Sequence, residues 1–149
     1  MPITIRKIAD QDKAAWLPLY LAYLKFYESE PDEYSTELLW SRLTKENPEI
    51  QALVAEVDGV VVGVCHFHYQ LTTWSKTWHC YLEDLYVDEI SRGKGVAPAL
   101  IAEVKKLALE NKCSELFWIT KESNTVARKL YDKVATKRDF VRYEILLEE

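Results

Sequence analysis

Glycine is scarce in this chain: there are four among 149 residues, where average usage would supply about ten. So few glycines, with 48% hydrophobic and 29% charged residues, exclude collagen-like repeats and low-complexity disorder. Cysteine is limited to three (Cys65, Cys80 and Cys113), an odd number with no C-x-x-C pair. Neither a disulfide framework nor a zinc ribbon can be assembled from them, and reduced thiols are expected. No apolar run approaches the roughly 18 residues that a membrane span requires; the longest cover 60–65 and 96–102. The opening residues, Met-Pro-Ile-Thr-Ile-Arg-Lys, lack the apolar segment of a signal peptide. Repeats and long linkers are missing too. These absences point to a soluble cytoplasmic protein folded as one domain over 1–149, and a chain of this size hides roughly 70% of its unfolded surface.

The net charge of −5 conceals a split. Residues 1–91 carry 7 basic and 15 acidic side chains, residues 92–142 carry 12 basic and 6 acidic, and the last seven residues add three acids. Solvated helix faces can produce such a split by chance. The alternative is one half suited to a cationic partner and the other to an anionic one. Nucleic acid is a poor candidate for that anion, because the overall charge is negative and no stacking motif interleaves the basic residues.

Hydrophobic periodicity predicts the elements. Ile3 to Ile8 reads as a strand, and Asp10 as the cap of a helix over about 11–27, late-starting or kinked at Pro18. Glu28 to Glu37 is a connection with five carboxylates and no base, after which Ser35 caps a second helix ending before Pro48. Ala52–Val57 and Val60–Tyr69 form a hairpin around Asp58-Gly59. A third strand covers His79–Val87, and a loop over 88–95 leads into an amphipathic helix over about 97–111, with Pro98 in its first turn. Glu115–Thr120 reads as a strand, Ser123 or Asn124 caps a helix to about Val134, and Phe140–Leu147 reads as a last strand. The order βααβββαβαβ indicates an α/β fold of the α+β type: a mixed sheet with helices on both faces.

The segment Ser91-Arg92-Gly93-Lys94-Gly95-Val96-Ala97 holds two of the four glycines, between a strand and a helix. Glycines there let backbone N–H groups turn toward an anion, and the helix N-terminus and two cations add positive potential. A P-loop would need G-x-x-x-x-G-K-S/T, which is absent, and a dinucleotide fingerprint fails because Pro98 stands where its third glycine belongs.

What fits is R-x-x-G-x-G/A, spelled Arg92, Gly95 and Ala97, directly after Tyr81-Leu82-Glu83-Asp84-Leu85-Tyr86-Val87. This resembles the acetyl-CoA-binding signature of the GNAT superfamily of N-acetyltransferases. Ser123-Asn124-Thr125-Val126-Ala127-Arg128-Lys129-Leu130-Tyr131 is similar to the superfamily's second cofactor segment. The Thr73-Trp74 stretch, Leu85-Tyr86-Val87-Asp88-Glu89 and Leu130-Tyr131-Asp132-Lys133-Val134 look most like histone and polyamine acetyltransferases, and Tyr81-Leu82-Glu83-Asp84 like spermidine/spermine N-acetyltransferases. The resemblance implies a mostly antiparallel sheet splayed beside its third long strand, and acetyl transfer from acetyl-CoA to a polyamine, small basic amine or protein lysine by direct attack. It implies that Leu85, Tyr86 and Val87 pair with the pantetheine arm, and that Arg92, Gly93, Lys94, Gly95, Val96, Ala97 and Pro98 hold the pyrophosphate. Asn124, Ala127 and Tyr131 complete the cofactor set, and the acceptor site takes Tyr27, Glu28, Trp74, Glu83 and Asp84. Glu83 is then the expected base and Tyr131 the expected acid, in a metal-free enzyme that is commonly a homodimer. Pro98 withholds one N–H from the phosphates, and Val134-Ala135-Thr136 lacks a glycine common in the superfamily. A non-catalytic acyl-CoA-binding module is the alternative; it could dispense with Glu83 and Tyr131, and both are present.

His66 and His68, spaced i, i+2, share one strand face, and His79 lies on the next strand. The simplest reading makes them structural, with a three-histidine metal site the weaker alternative. Trp16, Trp40 and Trp118 are expected in the core, whereas Trp74 and Trp78 flank a polar loop as core rim or substrate wall.

Overall fold

The computed structural model describes residues 2–148, and the chain divides into two compact units, Met1–Ile119 and Thr120–Glu149. In the first, five strands lie in the order β1-β2-β3-β4-β5: β1 (Ile3–Lys7), β2 (Gln51–Val57), β3 (Val60–Leu71), β4 (Trp78–Val87) and β5 (Cys113–Phe117). The first three pairings are antiparallel and β4–β5 is parallel. The β2–β3 turn sits at Asp58 (φ 51°) and Gly59 (φ 77°), the left-handed pair that a two-residue hairpin needs.

Period-2 alternation divides the sheet's side chains between two layers. Val64, Ala52 and Val54 face α1 (Lys13–Phe26) and α2 (Glu33–Thr44), where they pack with Trp16, Leu19 and Leu43. The opposite face is covered by α3 (Val96–Glu110): at Gly63, a side-chain carbon would come within 3.0 Å of Val96. Helices therefore cover both faces, as the element order predicts.

Local chemistry shifts several boundaries. The first helix begins with a 3-10 turn, Asp10–Asp12, rather than an Asp10 cap. The Asp12 carboxylate takes the Ala9 N–H at 2.7 Å and both terminal guanidinium nitrogens of Arg6 at 2.8 Å, and Arg6 also holds Glu56 on β2. The Arg6 bonds hold the Asp12 carboxyl below its ordinary range, against the opposing effect of burial. Pro18 lies inside α1, which starts before it. The cap of α2 is Asp32, not Ser35: its carboxylate accepts the Ser35 N–H at 3.0 Å and the Ser35 hydroxyl.

In the second unit, α4 (Thr125–Val134) is the one regular element among the described residues. The strand expected over Phe140–Leu147 is not formed. Its alternation is suited to a ladder, but the second unit holds no other strand among its described residues. Phe140, Val141, Tyr143, Ile145, Leu146 and Leu147 are between 69% and 92% exposed.

Candidate active site

From β4 the chain passes through Asp88 and a 3-10 turn (Glu89–Ser91) into the glycine loop and α3. Gly93 and Gly95 have φ of 75° and 88°, backbone conformations that an L side chain rarely adopts. The first bond of α3 is Ala99 N–H to Gly95 O at 3.1 Å. The N–H groups of Val96 and Ala97 therefore have no helical acceptor, and Pro98 has no N–H to satisfy. Around Gly93 the space is open, and exposed Lys94 has no ion-pair partner among the described residues. Free N–H groups at a helix start, a nearby cation and open space make a cradle for an anion, and a pyrophosphate fits it. Arg92 has a distinct job. Its Nε donates to Val87 O at 3.0 Å and its guanidinium lies 5.1 Å over the Tyr86 ring, which ties the loop to the end of β4.

The edge of β4 above the loop is open. Pairing with β5 runs from Trp78–Cys113 to Tyr81–Phe117 and stops there, while β4 continues to Val87. Asp88 N–H donates to Val62 O at 2.7 Å, so antiparallel alternation turns the main-chain groups of Tyr86 and Asp84 toward β3 and those of Leu85 and Val87 away from it. The Val87 carbonyl is taken by Arg92. Leu85 N–H and C=O and Val87 N–H line this edge, with no main-chain partner among the described residues. An extended arm bearing amide groups can pair with this edge as an added strand does; the Tyr86 main chain is committed to β3.

On the α1 face of the same strand lies an acidic cluster that depends on one irregularity. Asp84 pairs with His66 and Leu82 with Phe67, so Glu83 is the extra residue of a β-bulge. The bulge cancels the usual alternation. Both neighbouring carboxylates reach the face that carries His66 and His68: His66 Nδ1 lies 2.8 Å from Asp84 Oδ2, and His68 Nε2 lies 3.1 Å from Glu83 Oε1. Trp16 Nε1–H donates to His66 Nε2 at 3.0 Å. An indole only donates, so Nε2 of His66 holds its lone pair and Nδ1 holds the proton given to Asp84. His66, 2% exposed, is thereby fixed as a neutral imidazole with both nitrogens occupied.

A row of aromatic side chains on α1 borders these acids. Trp16, Tyr20, Tyr23 and Tyr27 recur at helical spacing, with successive ring centroids 5.1, 6.4 and 5.0 Å apart. Burial, then the charge of Asp84, pushes the Tyr23 phenol well above its ordinary range, and its hydroxyl donates a long 3.5 Å bond to Glu83 O. The Tyr20 phenol is raised by burial and by both carboxylates. No lysine or arginine bonds to Glu83 or Asp84 among the described residues. Two carboxylates without a cationic partner, beside electron-rich rings, form a place for a cation.

The other expected acceptor residues divide. Tyr27 stands at the end of the aromatic row, and exposed Glu28 follows in the left-handed region (φ 56°). Trp74 is 80% exposed in the connection beyond the last β3–β4 pair, Leu71–Trp78. In the acidic connection, Asp32 caps α2 and Glu37 pairs with Lys13 at 2.8 Å. In the second unit, Asn124 precedes α4 without a side-chain capping bond, Ala127 and Tyr131 follow on the same helical face, and Asn124 Nδ2 donates to Thr120 Oγ1 at 3.1 Å. Trp16, His66, His68, Tyr20 and Tyr23 were absent from the residues expected at the site. The i, i+2 histidines and the i, i+4, i+7, i+11 aromatics were the available signals.

The fold carries three features that an acyltransferase needs: an anion cradle, an open strand edge and a carboxylate face. A model of the acetyltransferase (GNAT) family matches residues 15–135. The chain is 33% identical over 144 residues to D-amino-acid N-acetyltransferase HPA3 of Saccharomyces cerevisiae, covering 95% of this chain and 89% of that protein. It is 32% identical over 139 residues to thialysine N-epsilon-acetyltransferase of Bos taurus, covering 87% and 81%. Among solved structures, ribosomal-protein-alanine N-acetyltransferase from Brucella melitensis superposes with a TM-score of 0.79 at 27% identity, covering 98% of this chain and all of that one (100%). The chain belongs to the GNAT acetyltransferase family. It is an acyl-CoA-dependent N-acetyltransferase.

Proposed function

We propose that the protein transfers acetyl from acetyl-CoA to the primary amine of a cationic acceptor: a polyamine, a small basic amine or a lysine side chain. The observation that carries this reading is the pair Glu83–Asp84, brought to one face by the bulge and, among the described residues, bonded to histidines but to no lysine or arginine, beside Tyr20 and Tyr23. An acceptor with a second positive charge gains there, whereas an amino acid with one amine brings a carboxylate that the two acids repel. The relative named for thialysine supports a lysine-like acceptor. The one named for D-amino acids places amino acids among the acceptors to be tested.

Acetyl-CoA would supply the acetyl thioester, held by the N–H groups of the Gly93–Ala97 loop, by Lys94 and by the open edge at Leu85 and Val87. The remaining work belongs to side chains. An amine with a pKa near 10.4 is neutral in only about one molecule in 10³ at pH 7, so a proton must leave before attack, and Glu83 is the carboxylate assigned to that step. Tyr131, matched in sequence to the superfamily tyrosine, would be the acid for the departing sulfur. Burial pushes the Cys65 and Cys80 thiols up to about 12. Neither supplies a thiolate to carry the acetyl group at pH 7, which favours direct attack in a ternary complex over an acyl-enzyme.

The reading includes a cytoplasmic homodimer that needs no metal. The homodimer is supported by the exposed apolar run over 140–147, a surface suited to a second copy; sedimentation at micromolar concentration tests it. No described helix is long and apolar enough to cross a membrane. The acceptor is tested by measuring free CoA release against polyamines, basic and neutral amino acids, aminoglycosides and histone-tail peptides. Turnover confined to neutral amino acids would overturn the cationic-acceptor reading.

A further inference from the structure

The two histidines of β3 hold their protons on opposite nitrogens, and the difference decides what each can do. His66 gives Nδ1–H to Asp84 and receives Trp16 Nε1–H on Nε2, so no nitrogen is left for chemistry. His68 Nε2 faces the Glu83 carboxylate, which when ionised only accepts. The proton of His68 therefore sits on Nε2 and the lone pair on Nδ1. That nitrogen has no hydrogen-bond partner among the described residues, and the side chain is 25% exposed. A carboxylate behind one imidazole nitrogen with the lone pair free on the other is the arrangement that orients a general base and stabilises its protonated form.

We infer that His68 is the proton acceptor for the acceptor amine and that Glu83 works through it. This rests on the acetyltransferase reading and refines the role of Glu83 within it. The step is a proton transfer: the ammonium N–H breaks, its pair stays on the amine nitrogen, and the proton joins His68 Nδ1 to form an imidazolium beside Glu83. Water then removes that proton. An ordinary imidazole is about two pKa units more basic than an ordinary glutamate, so transfer from the amine is roughly 10²-fold more favourable. Glu83 reaches His68 from β4, with the Tyr81 ring at a centroid distance of 5.4 Å, while Asp84 is held by His66 and Tyr20 and Tyr23 border the two acids from α1. The face of β3 toward α3 contributes nothing, because His68 points the other way.

The test is kcat against pH for the intact chain, with saturating acetyl-CoA and its best amine, in parent, His68→Gln, His68→Asn and Glu83→Gln. Gln keeps an N–H near Glu83 and has no basic nitrogen. Both His68 variants are expected to lose about 10²-fold in kcat at pH 7. Their acidic limb should disappear into a rate rising tenfold per pH unit, with partial rescue by added imidazole. Glu83→Gln should keep the limb, because the basic nitrogen of His68 is still present. An unchanged acetyl-CoA thermal shift in each variant establishes that the fold and cofactor site persist. His68 variants with the parent's limb and a kcat within threefold of it would overturn the inference, as would loss of the limb in Glu83→Gln alone. A parent that releases no CoA with any amine refutes the acetyltransferase reading instead.

Discussion

Replacing Trp16 by Phe keeps an aromatic ring in the core and removes the single N–H that fixes His66. Trp16 is fully buried and its bond to His66 Nε2 is 3.0 Å. Water has no ready access to the orphaned acceptor, so the hydrogen-bond part of the loss is about 1–3 kcal/mol. The smaller ring leaves roughly 40 Å3 empty, which at ~24 cal/mol per Å3 adds about 1 kcal/mol. The variant should be less stable by about 2–4 kcal/mol, read as a lower urea midpoint with an unchanged slope. The two contributions separate in a double-mutant cycle. With His66→Leu as background there is no acceptor to orphan, and Trp16→Phe should cost only the packing part. Nitrogen-15 NMR supplies the second readout: the proton on His66 Nδ1 stays with Asp84 in parent and variant, and the Nε2 resonance shifts in the variant as the indole bond is lost. A Trp16→Phe protein within 0.5 kcal/mol of its parent, or a cycle with no coupling, would refute the assignment of the His66 tautomer.

Tyr131→Phe deletes one hydroxyl, and if that group protonates the leaving sulfur, kcat should fall by about 10²-fold with acetyl-CoA binding unchanged; a kcat close to the parent's under chemistry-limited conditions removes the role. Acetyl-CoA at tenfold its Kd should stabilise the parent by about 1.4 kcal/mol, and Gly95→Asp, which puts a negative charge beside the cradle, should abolish that thermal shift. Acceptors with two or more charges should show higher kcat/KM than monoamines at low salt, and the gap should narrow as salt screens Glu28, Glu30 and Glu33; salt-independent, equal values would locate recognition elsewhere. The Asp12 carboxyl is held low in the folded state by Arg6. Its contribution to stability is present above the unfolded pKa of about 3.9 and disappears as pH falls through the folded value, so Asp12→Asn should flatten the acid limb of a stability–pH curve.

The elements that periodicity predicted are those whose neighbours lie close in the chain. The Asp58-Gly59 hairpin, the stripe of α3 and the strand-loop-helix around Gly95 carry their instructions locally, in turn residues, i, i+3, i+4 spacing and a left-handed glycine. The run over Phe140–Leu147 shows the limit. Its alternation is a correct signal of strand propensity, but a strand exists only with a partner, and partners are a property of the whole assembly. Helix caps fail for a smaller reason: Asp32 and Ser35 both carry suitable oxygens, and only the backbone decides which accepts and which donates.

The cofactor loop was legible because it is continuous in sequence, whereas the acid face was only half legible. Glu83 and Asp84 are adjacent, and strict alternation sends adjacent side chains to opposite faces, so a regular strand would have given only one of them to the acceptor. One unpaired residue opposite the His66–Phe67 step reverses that, and nothing in a single strand's composition announces it. Once the bulge is known, the H-x-H spacing of β3 takes on meaning, because each imidazole then meets its own carboxylate. The two pairs differ only at the remaining nitrogen: Trp16 occupies it in one and leaves it open in the other. A buried indole three elements away in the chain thus separates a structural histidine from one free to accept a proton.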